Sequence, residues 1–194
     1  MTTKNDTALI IVHDGFTDSE FIYAYYRCLE EDIDVVVATI TGKDAYGEYG
    51  CPAKADMSVD NASILWKGGW WRRDDRVFNS LFDILILPGG VKSIEKVRQN
   101  PNVIQAIKDH FCGRKIIASM CHGGQLLIES GLARHHRISG YYSIKTDIVN
   151  AGGTYIDGVT LDEDIVSAPH YKHNGKWMGA VISLWKQQKN SSLV

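Results

Sequence analysis

The sequence lacks the features that usually mark a zinc-binding, nucleic-acid-binding or membrane-spanning protein. Its four cysteines form no C-x-x-C pair, which excludes the common zinc-site and thioredoxin-type spacings. The formal net charge is only −2 and no basic patch is present, so neither nucleic acid nor an anionic membrane is an expected partner. No apolar run approaches the roughly 18 residues of a membrane span.

The remaining composition predicts one ordinary folded domain over residues 1–194. Hydrophobic residues make up 44% of the chain and charged residues 23%, which argues against disorder. The polar start at 1–7 contains no segment of signal-peptide length, so we expect a reducing cytoplasm and free thiols. Neither a metal nor another cofactor is predicted. A nucleotide in particular is not implied, because the turn at 88–90 lacks the spacing of a phosphate-binding loop.

Short apolar runs alternate with helical patterns along the chain. Strands are predicted at 8–12, 34–40, 53–59, 83–87, 115–119, 154–157, 159–161 and 165–167, and helices at about 18–31, from 100 onwards, after Cys121 to about Gly131, and at 175–189. A polar loop is predicted after Gly140. A strand, helix and strand of this length imply a right-handed crossover and a parallel sheet. The pattern therefore predicts an open, doubly wound α/β sandwich.

The most informative stretch is the one around Cys121. A β-branched run ends there at Cys121-His122-Gly123-Gly124, and a helical pattern follows. A strand, a sharp turn and a helix present a nucleophile above a sheet edge, where the positive end of the helix is expected to lower the cysteine pKa. The backbone N–H groups of His122 and Gly90 are predicted to point where an oxyanion would develop.

Simpler interpretations exist for each of these residues. A cysteine after a strand, such as Cys121, is often only a small buried hydrophobic residue. Cys28, Cys51 and Cys112 are interpreted as structural. Glu20 and Glu95, taken alone, are solvated helix charges.

Two further segments leave alternatives open. His170 and His173 have a spacing found in metal sites, but no third ligand is apparent, so a surface loop is favoured. The segment Trp66–Asp75 contains three of the five tryptophans. It either covers a neighbouring hydrophobic area or subunit contact, which is favoured, or forms an aromatic wall over the active site.

Four motifs in the same order carry a family resemblance. The segment 118–128 closely resembles the cysteine elbow of the DJ-1/PfpI superfamily, in its PfpI-like branch, and 14–21, 87–90 and 144–152 extend the likeness over nearly the whole chain. The resemblance implies a flavodoxin-like three-layer sandwich with a mostly parallel central sheet, similar to class I glutamine amidotransferases. Gly124 departs from the family pattern, which has proline there.

The resemblance also implies roles for individual residues. Cys121 resembles the family nucleophile, His122 its base, and Glu20 a protonated carboxyl group that touches the sulfur. Glu95 matches, with an offset of one residue, the acidic residue that a neighbouring subunit offers to the histidine. We therefore expect a homo-oligomer, a dimer or larger, whose site Glu95 completes in trans.

The implied function is cysteine-dependent chemistry on a small electrophilic substrate, whether a carbonyl, an amide or a nitrile-like compound. Glyoxalase- or deglycase-like chemistry, classed as a lyase or hydrolase activity, is the commonest proposal for the family, and hydrolase or hydratase chemistry fits the same nucleophile. The alternatives are a redox-sensing or chaperone-like stress protein that uses the same Cys121, and a PfpI-type peptidase. The peptidase is less favoured, because a site closed by a neighbouring subunit leaves little room for a polypeptide.

Overall fold

The fold is an α/β sandwich, seen in a computed structural model that describes residues 6–60 and 81–191. In chain order the strands are β1 (Thr7–Val12), β2 (Asp34–Thr39), β3 (Ala45–Tyr46), β4 (Pro52–Ala53), β5 (Met57–Ser58), β6 (Ile84–Leu87), β7 (Ile116–Met120), β8 (Arg137–Ile138), β9 (Thr154–Tyr155), β10 (Thr160–Asp162) and β11 (Ile165–Ala168). The helices are α1 (Asp18–Leu29), α2 (Val91–Val97), α3 (Pro101–Cys112), α4 (Gly124–Glu129), α5 (Lys145–Asn150) and α6 (Asn174–Ser191).

A seven-stranded sheet with the order β10-β11-β7-β6-β1-β2-β5 forms the middle layer. Its strands run parallel except for β10, which is antiparallel to β11. Side chains of β1 alternate between two apolar cores, with Ala8, Ile10 and Val12 in one and Leu9 and Ile11 in the other. Helices α1 and α6 cover the first core and α2 to α5 the second, which confirms the predicted three-layer, mostly parallel architecture.

The position of β7 between β6 and β11 determines where chemistry can occur. The carboxyl ends of parallel strands meet at one edge of a sheet, where α/β proteins place their sites. The segments that follow β1, β6, β7 and β11 carry Glu20, Gly89-Gly90, Cys121-His122 and His170, respectively. These residues are far apart in sequence, and the sheet brings them to the same edge.

Several predicted elements differ from the observed ones. The predicted strand at 53–59 is divided, because β4 pairs with β3 in a hairpin and only β5 joins the main sheet. The predicted polar loop after Gly140 contains α5, whose formation is favoured by burial of Ile144 and Ile148 four residues apart. Strand β9 pairs with β8 outside the main sheet.

Two observations concern the expectations about partners. The predicted tryptophan segment Trp66–Asp75 lies outside the described residues. Among the helices within 6–60 and 81–191, none combines the length and the apolar character needed to cross a membrane.

A buried histidine links α3 to the start of β6. His110 is 1% exposed, and its Nε2 accepts a hydrogen bond from the Phe82 N–H at 3.1 Å. Nδ1 therefore carries the proton and donates to the Ala106 carbonyl oxygen at 2.7 Å. Burial lowers the pKa of His110, so the imidazole is neutral in the folded protein.

This histidine should make the protein sensitive to acid. As pH falls below the ordinary histidine pKa of 6.5, unfolded His110 takes up a proton that the folded protein excludes, so the free energy of unfolding should fall. His110→Gln retains an acceptor for the Phe82 N–H but cannot titrate. Between pH 7 and pH 5 the free energy of unfolding, measured with urea, should change more favourably in this variant than in wild type, because the two proteins share every other titrating group. The exposed control His135→Asn should show the same change in the free energy of unfolding between the two pH values as wild type. Equal changes in all three proteins would contradict the role of His110.

Candidate active site

The site is built on an unusual backbone conformation at Cys121. This residue directly follows β7, has a φ of 57° and begins a short 3₁₀ turn, Cys121–Gly123, that leads into α4. Positive φ is rare for a residue with a side chain and is tolerated only where its surroundings enforce it. Gly123 contributes to this, since a Cβ there would lie 2.3 Å from the Leu87 carbonyl oxygen. The predicted strand, turn and helix are thus present at the edge of the sheet.

Two backbone donors converge on the cysteine sulfur. The N–H groups of His122 and Gly90 hydrogen-bond to Cys121 and favour its ionised form. Gly90 has a φ of 102°, and a Cβ there would lie 2.3 Å from the Gly15 carbonyl oxygen, so only glycine lets the backbone approach this closely. The structure therefore brings together the two predicted oxyanion donors.

Glu20 lies beneath the sulfur, on the first turn of α1. It is 0% exposed, and its Oε2 accepts a hydrogen bond from the Gly89 N–H at 2.7 Å. A hydrogen bond with the Cys121 side chain is among the contacts of the same carboxyl group, whereas Oε1 is buried without a partner. Burial raises the pKa of Glu20 to about 8, so the group is protonated at neutral pH.

The expected lowering of the cysteine pKa is not observed. Cys121 is 8% exposed, and burial raises the pKa of its thiol to about 12, with any negative charge on Glu20 acting in the same direction. The hydrogen bonds from His122 and Gly90 oppose this shift without overcoming it. Helix α4 begins only at Gly124 and has six residues, so its dipole opposes the effect of desolvation on the thiol pKa only weakly.

His122 is placed to accept the thiol proton. Its Nδ1 lies 3.4 Å from the Cys121 sulfur, and its Nε2 lies 3.3 Å from Oγ of Ser143. Burial lowers the pKa of His122, so the ring is neutral at pH 7. A neutral ring with an acceptor at Nδ1 carries its proton at Nε2, which then donates to Ser143. Sequence reasoning missed Ser143, because a single serine in a polar stretch carries no signature.

Glu95 lies apart from this constellation on α2. Its side chain is exposed and forms an ion pair with Arg98 at 3.5 Å. Its negative charge raises the pKa of His122, in opposition to the larger effect of burial. Within this chain Glu95 thus acts on the histidine through charge.

Four rings beside His122 form what we call the aromatic shelf: Tyr141, Tyr142, His170 and Tyr171. Tyr141 stacks on His122 with ring centroids 4.8 Å apart. The centroid of the His170 ring lies 5.9 Å from that of Tyr141, 6.4 Å from that of Tyr142 and 4.0 Å from that of Tyr171. Sequence reasoning missed the shelf because its residues come from two loops that meet only in the fold.

The shelf also bears on the metal alternative for His170 and His173. No group of three side chains suited to hold a metal ion occurs in the part of the chain that the structure describes. His170 has aromatic rings as neighbours instead.

The fold and the elbow define an α/β sandwich with a strained cysteine at the carboxyl end of a central parallel strand. The model of the DJ-1/PfpI family matches residues 6–184, and the chain belongs to that family. Among similar proteins, a deglycase of Pyrococcus abyssi is 34% identical over 92% of this chain and 98% of its own length. The deglycase PfpI of Pyrococcus furiosus is 31% identical over the same shares.

Solved structures agree on the fold. A two-domain protein of Anabaena variabilis with DJ-1/ThiJ/PfpI-like and ferritin-like domains superimposes with a TM-score of 0.80 at 25% identity, covering 92% of this chain and 48% of its own. DJ-1 of Schizosaccharomyces pombe gives a TM-score of 0.77 at 21% identity over 93% of this chain and 90% of its own.

The buried carboxyl group predicts a specific pH dependence of stability. With a folded pKa of about 8 against an ordinary 4.5, Glu20 keeps a proton that the unfolded chain releases. The contribution of Glu20 to the free energy of unfolding should therefore fall, by roughly 3 kcal/mol, as pH rises from 5 to 8, in the opposite direction to that of His110. Glu20→Gln, which can still accept from the Gly89 N–H, should flatten this dependence in urea unfolding. Glu30→Gln, an exposed control at the end of α1, should keep the wild-type dependence of the free energy of unfolding on pH. The same dependence in Glu20→Gln would show that Glu20 is not protonated in the folded protein.

Proposed function

We propose that this protein is a cysteine-dependent, deglycase-like enzyme that acts on small carbonyl compounds such as methylglyoxal. The observation that carries the proposal is the environment of one sulfur atom. Cys121 has a neutral imidazole nitrogen 3.4 Å away and two backbone N–H donors directed at it. Several relatives of nearly equal length are named deglycases, which supports the same reaction class.

The chemistry begins with a proton transfer. The Cys121 thiol gives its proton to Nδ1 of His122, and the sulfur attacks the aldehyde carbon to form a C–S bond. The carbonyl oxygen becomes an oxyanion, which accepts hydrogen bonds from the N–H groups of Gly90 and His122. Because the resting thiol has a raised pKa, the ion pair is formed only when a substrate is present to consume it.

The second half returns the enzyme to its starting state. His122 first returns the thiol proton to the oxyanion, which gives a neutral hemithioacetal and a neutral imidazole. With methylglyoxal, Nδ1 of His122 then removes the proton from the former aldehyde carbon, the hydroxyl proton passes to the neighbouring ketone oxygen, and His122 delivers its proton to the neighbouring carbon, which converts the adduct to a lactoyl thioester. Water then cleaves the C–S bond, releasing lactate and the thiol. Neutral Glu20 adds no second negative charge beside the sulfur during these steps.

Substitution of the cysteine is the direct test. Cys121→Ala removes the nucleophile, so conversion of methylglyoxal to lactate should fall by at least about 10³-fold. Cys112→Ala, at an exposed cysteine on the last turn of α3, is the matched control and should retain wild-type rates. Lactate formation that survives in Cys121→Ala would refute the mechanism.

A specific observation favours a redox-sensing function as the second candidate. A protonated carboxyl group such as Glu20 can donate a hydrogen bond to a sulfinic acid at Cys121 and stabilise it. If the wild-type protein converts no aldehyde, and mild peroxide gives a stable, doubly oxidised Cys121 by mass spectrometry, this alternative replaces the enzyme.

We propose further that the active unit is a homo-oligomer in which Glu95 of one subunit orients His122 of another. The side chain is exposed on α2 and free to reach a neighbouring copy once Arg98 releases it. Nδ1 of His122 faces the sulfur, so a carboxylate from another subunit has only Nε2 to bind. It would replace or share the contact with Ser143.

Subunit mixing tests the arrangement in trans. Cys121→Ala and Glu95→Gln should each be impaired, the latter by about tenfold or more because its base is misoriented. Mixed and allowed to exchange, the two variants should regain activity, up to roughly a quarter of the wild-type sites in a dimer, since one site then has both residues intact. A mixture no more active than the average of its components would place Glu95 in the same chain as its histidine, or outside catalysis.

A further inference from the structure

The aromatic shelf includes two exposed tyrosines near the proposed reacting centre. Tyr142 is 53% exposed and Tyr171 49%, and His170 lies between them in contact with both. Through Tyr141 the shelf reaches the ring of His122. The steps proposed for Cys121 and His122 use none of these four rings, so the shelf has a surface without an assigned role.

Backbone and side-chain hydrogen bonds fix the shelf relative to the elbow. The Tyr141 N–H donates to the Cys121 carbonyl oxygen at 3.0 Å, which ties one half of the shelf to the nucleophile. On the other half, Nδ1 of His170 accepts from the Lys172 N–H at 3.3 Å, and the His170 carbonyl oxygen accepts from the His173 N–H at 2.8 Å. The Tyr141 backbone and the His170 ring are thus held in place before any ligand arrives, which reduces the entropic cost of binding.

Local charge determines what kind of group the shelf suits. Burial lowers the pKa of His170, and electrostatic interactions with Lys172 and His173 lower it further, so the ring is neutral. The positive charge of Lys172 disfavours a cation placed over the rings, although tyrosine faces would otherwise attract one. An uncharged planar group avoids that repulsion and stacks on tyrosine and imidazole faces.

We propose that the aromatic shelf is a binding subsite for an aryl or other uncharged planar group attached to the ketone carbon next to the reacting aldehyde carbon. This inference rests on the proposed function, since it extends the substrate of Cys121 outward over His170 and Tyr171. The substrate class becomes aryl α-oxoaldehydes and related conjugated carbonyl compounds, in preference to the smallest aliphatic ones.

The kinetic test compares phenylglyoxal with methylglyoxal at short reaction times, because phenylglyoxal also modifies arginine. Wild type should have a higher kcat/KM for phenylglyoxal. In His170→Ala and in Tyr171→Ala the ratio of the two kcat/KM values should fall by roughly three- to tenfold, the loss expected for one stacked ring. His170→Phe keeps a ring and should restore the ratio. Tyr26→Ala, at a 65% exposed tyrosine on α1, is the control and should leave both values unchanged.

A binding measurement separates failure of the shelf from failure of the proposed function. Ligand-observed NMR titration with benzoylformate and pyruvate compares a phenyl with a methyl group without requiring turnover. Wild type should bind benzoylformate more tightly, and Tyr171→Ala should lose that preference while Tyr26→Ala keeps it. This result without turnover of either aldehyde would reject the proposed reaction and support the shelf. Equal affinity for both acids, or a preference for a guanidinium ligand such as methylguanidine, would overturn the subsite.

Discussion

The left-handed backbone at Cys121 is the constraint on which the site depends. A residue with a side chain adopts a φ of 57° only if its neighbours make every alternative worse. Gly123 lets the turn after Cys121 pass close to the Leu87 carbonyl oxygen, and Gly90, whose N–H donates to the sulfur, passes close to the carbonyl oxygen of Gly15. The conformation places the sulfur at the sheet edge together with the two N–H groups that stabilise it. The site therefore requires glycine at positions 90 and 123 as well as the reactive side chains.

Desolvation is the dominant electrostatic influence around this sulfur. Burial raises the pKa of both Glu20 and Cys121 and lowers that of His122, so each group is driven towards its neutral form. A site with three neutral groups avoids the cost of an isolated buried charge. Ionisation then requires a proton transfer over the 3.4 Å between sulfur and Nδ1, and the two backbone donors are already in place to receive the charge.

Sequence patterns predicted the parts of the structure that depend on local rules. The buried strands, their parallel order and the placement of Glu20, Gly90 and Cys121 follow from apolar runs and from the rule that sites lie at strand carboxyl ends. The DJ-1/PfpI resemblance, which the family match confirms, supplied the expected roles.

The features that sequence patterns missed depend on depth and on contacts between distant loops. The predicted shift in the pKa of Cys121 was wrong in direction. A sequence indicates where a helix begins, but it does not show how far a thiol is buried away from water. Helix α5 was missed because its short apolar pattern lies in a polar stretch. Ser143 and the aromatic shelf were missed because their residues come together beside His122 only when the loops after β8 and β11 meet in the fold.

Neutrality at the sulfur has a consequence for how the protein responds to its medium. Dissolved ions screen charges that water can reach, over about 10 Å at 0.1 M salt, and they have little effect on buried, uncharged groups. The exposed carboxylate of Glu95 and its Arg98 partner are open to such screening, whereas Glu20 and Cys121 are not. Ionic strength therefore acts first on the rim of this site, and it reaches the reacting groups only through the effect of the Glu95 charge on the pKa of His122.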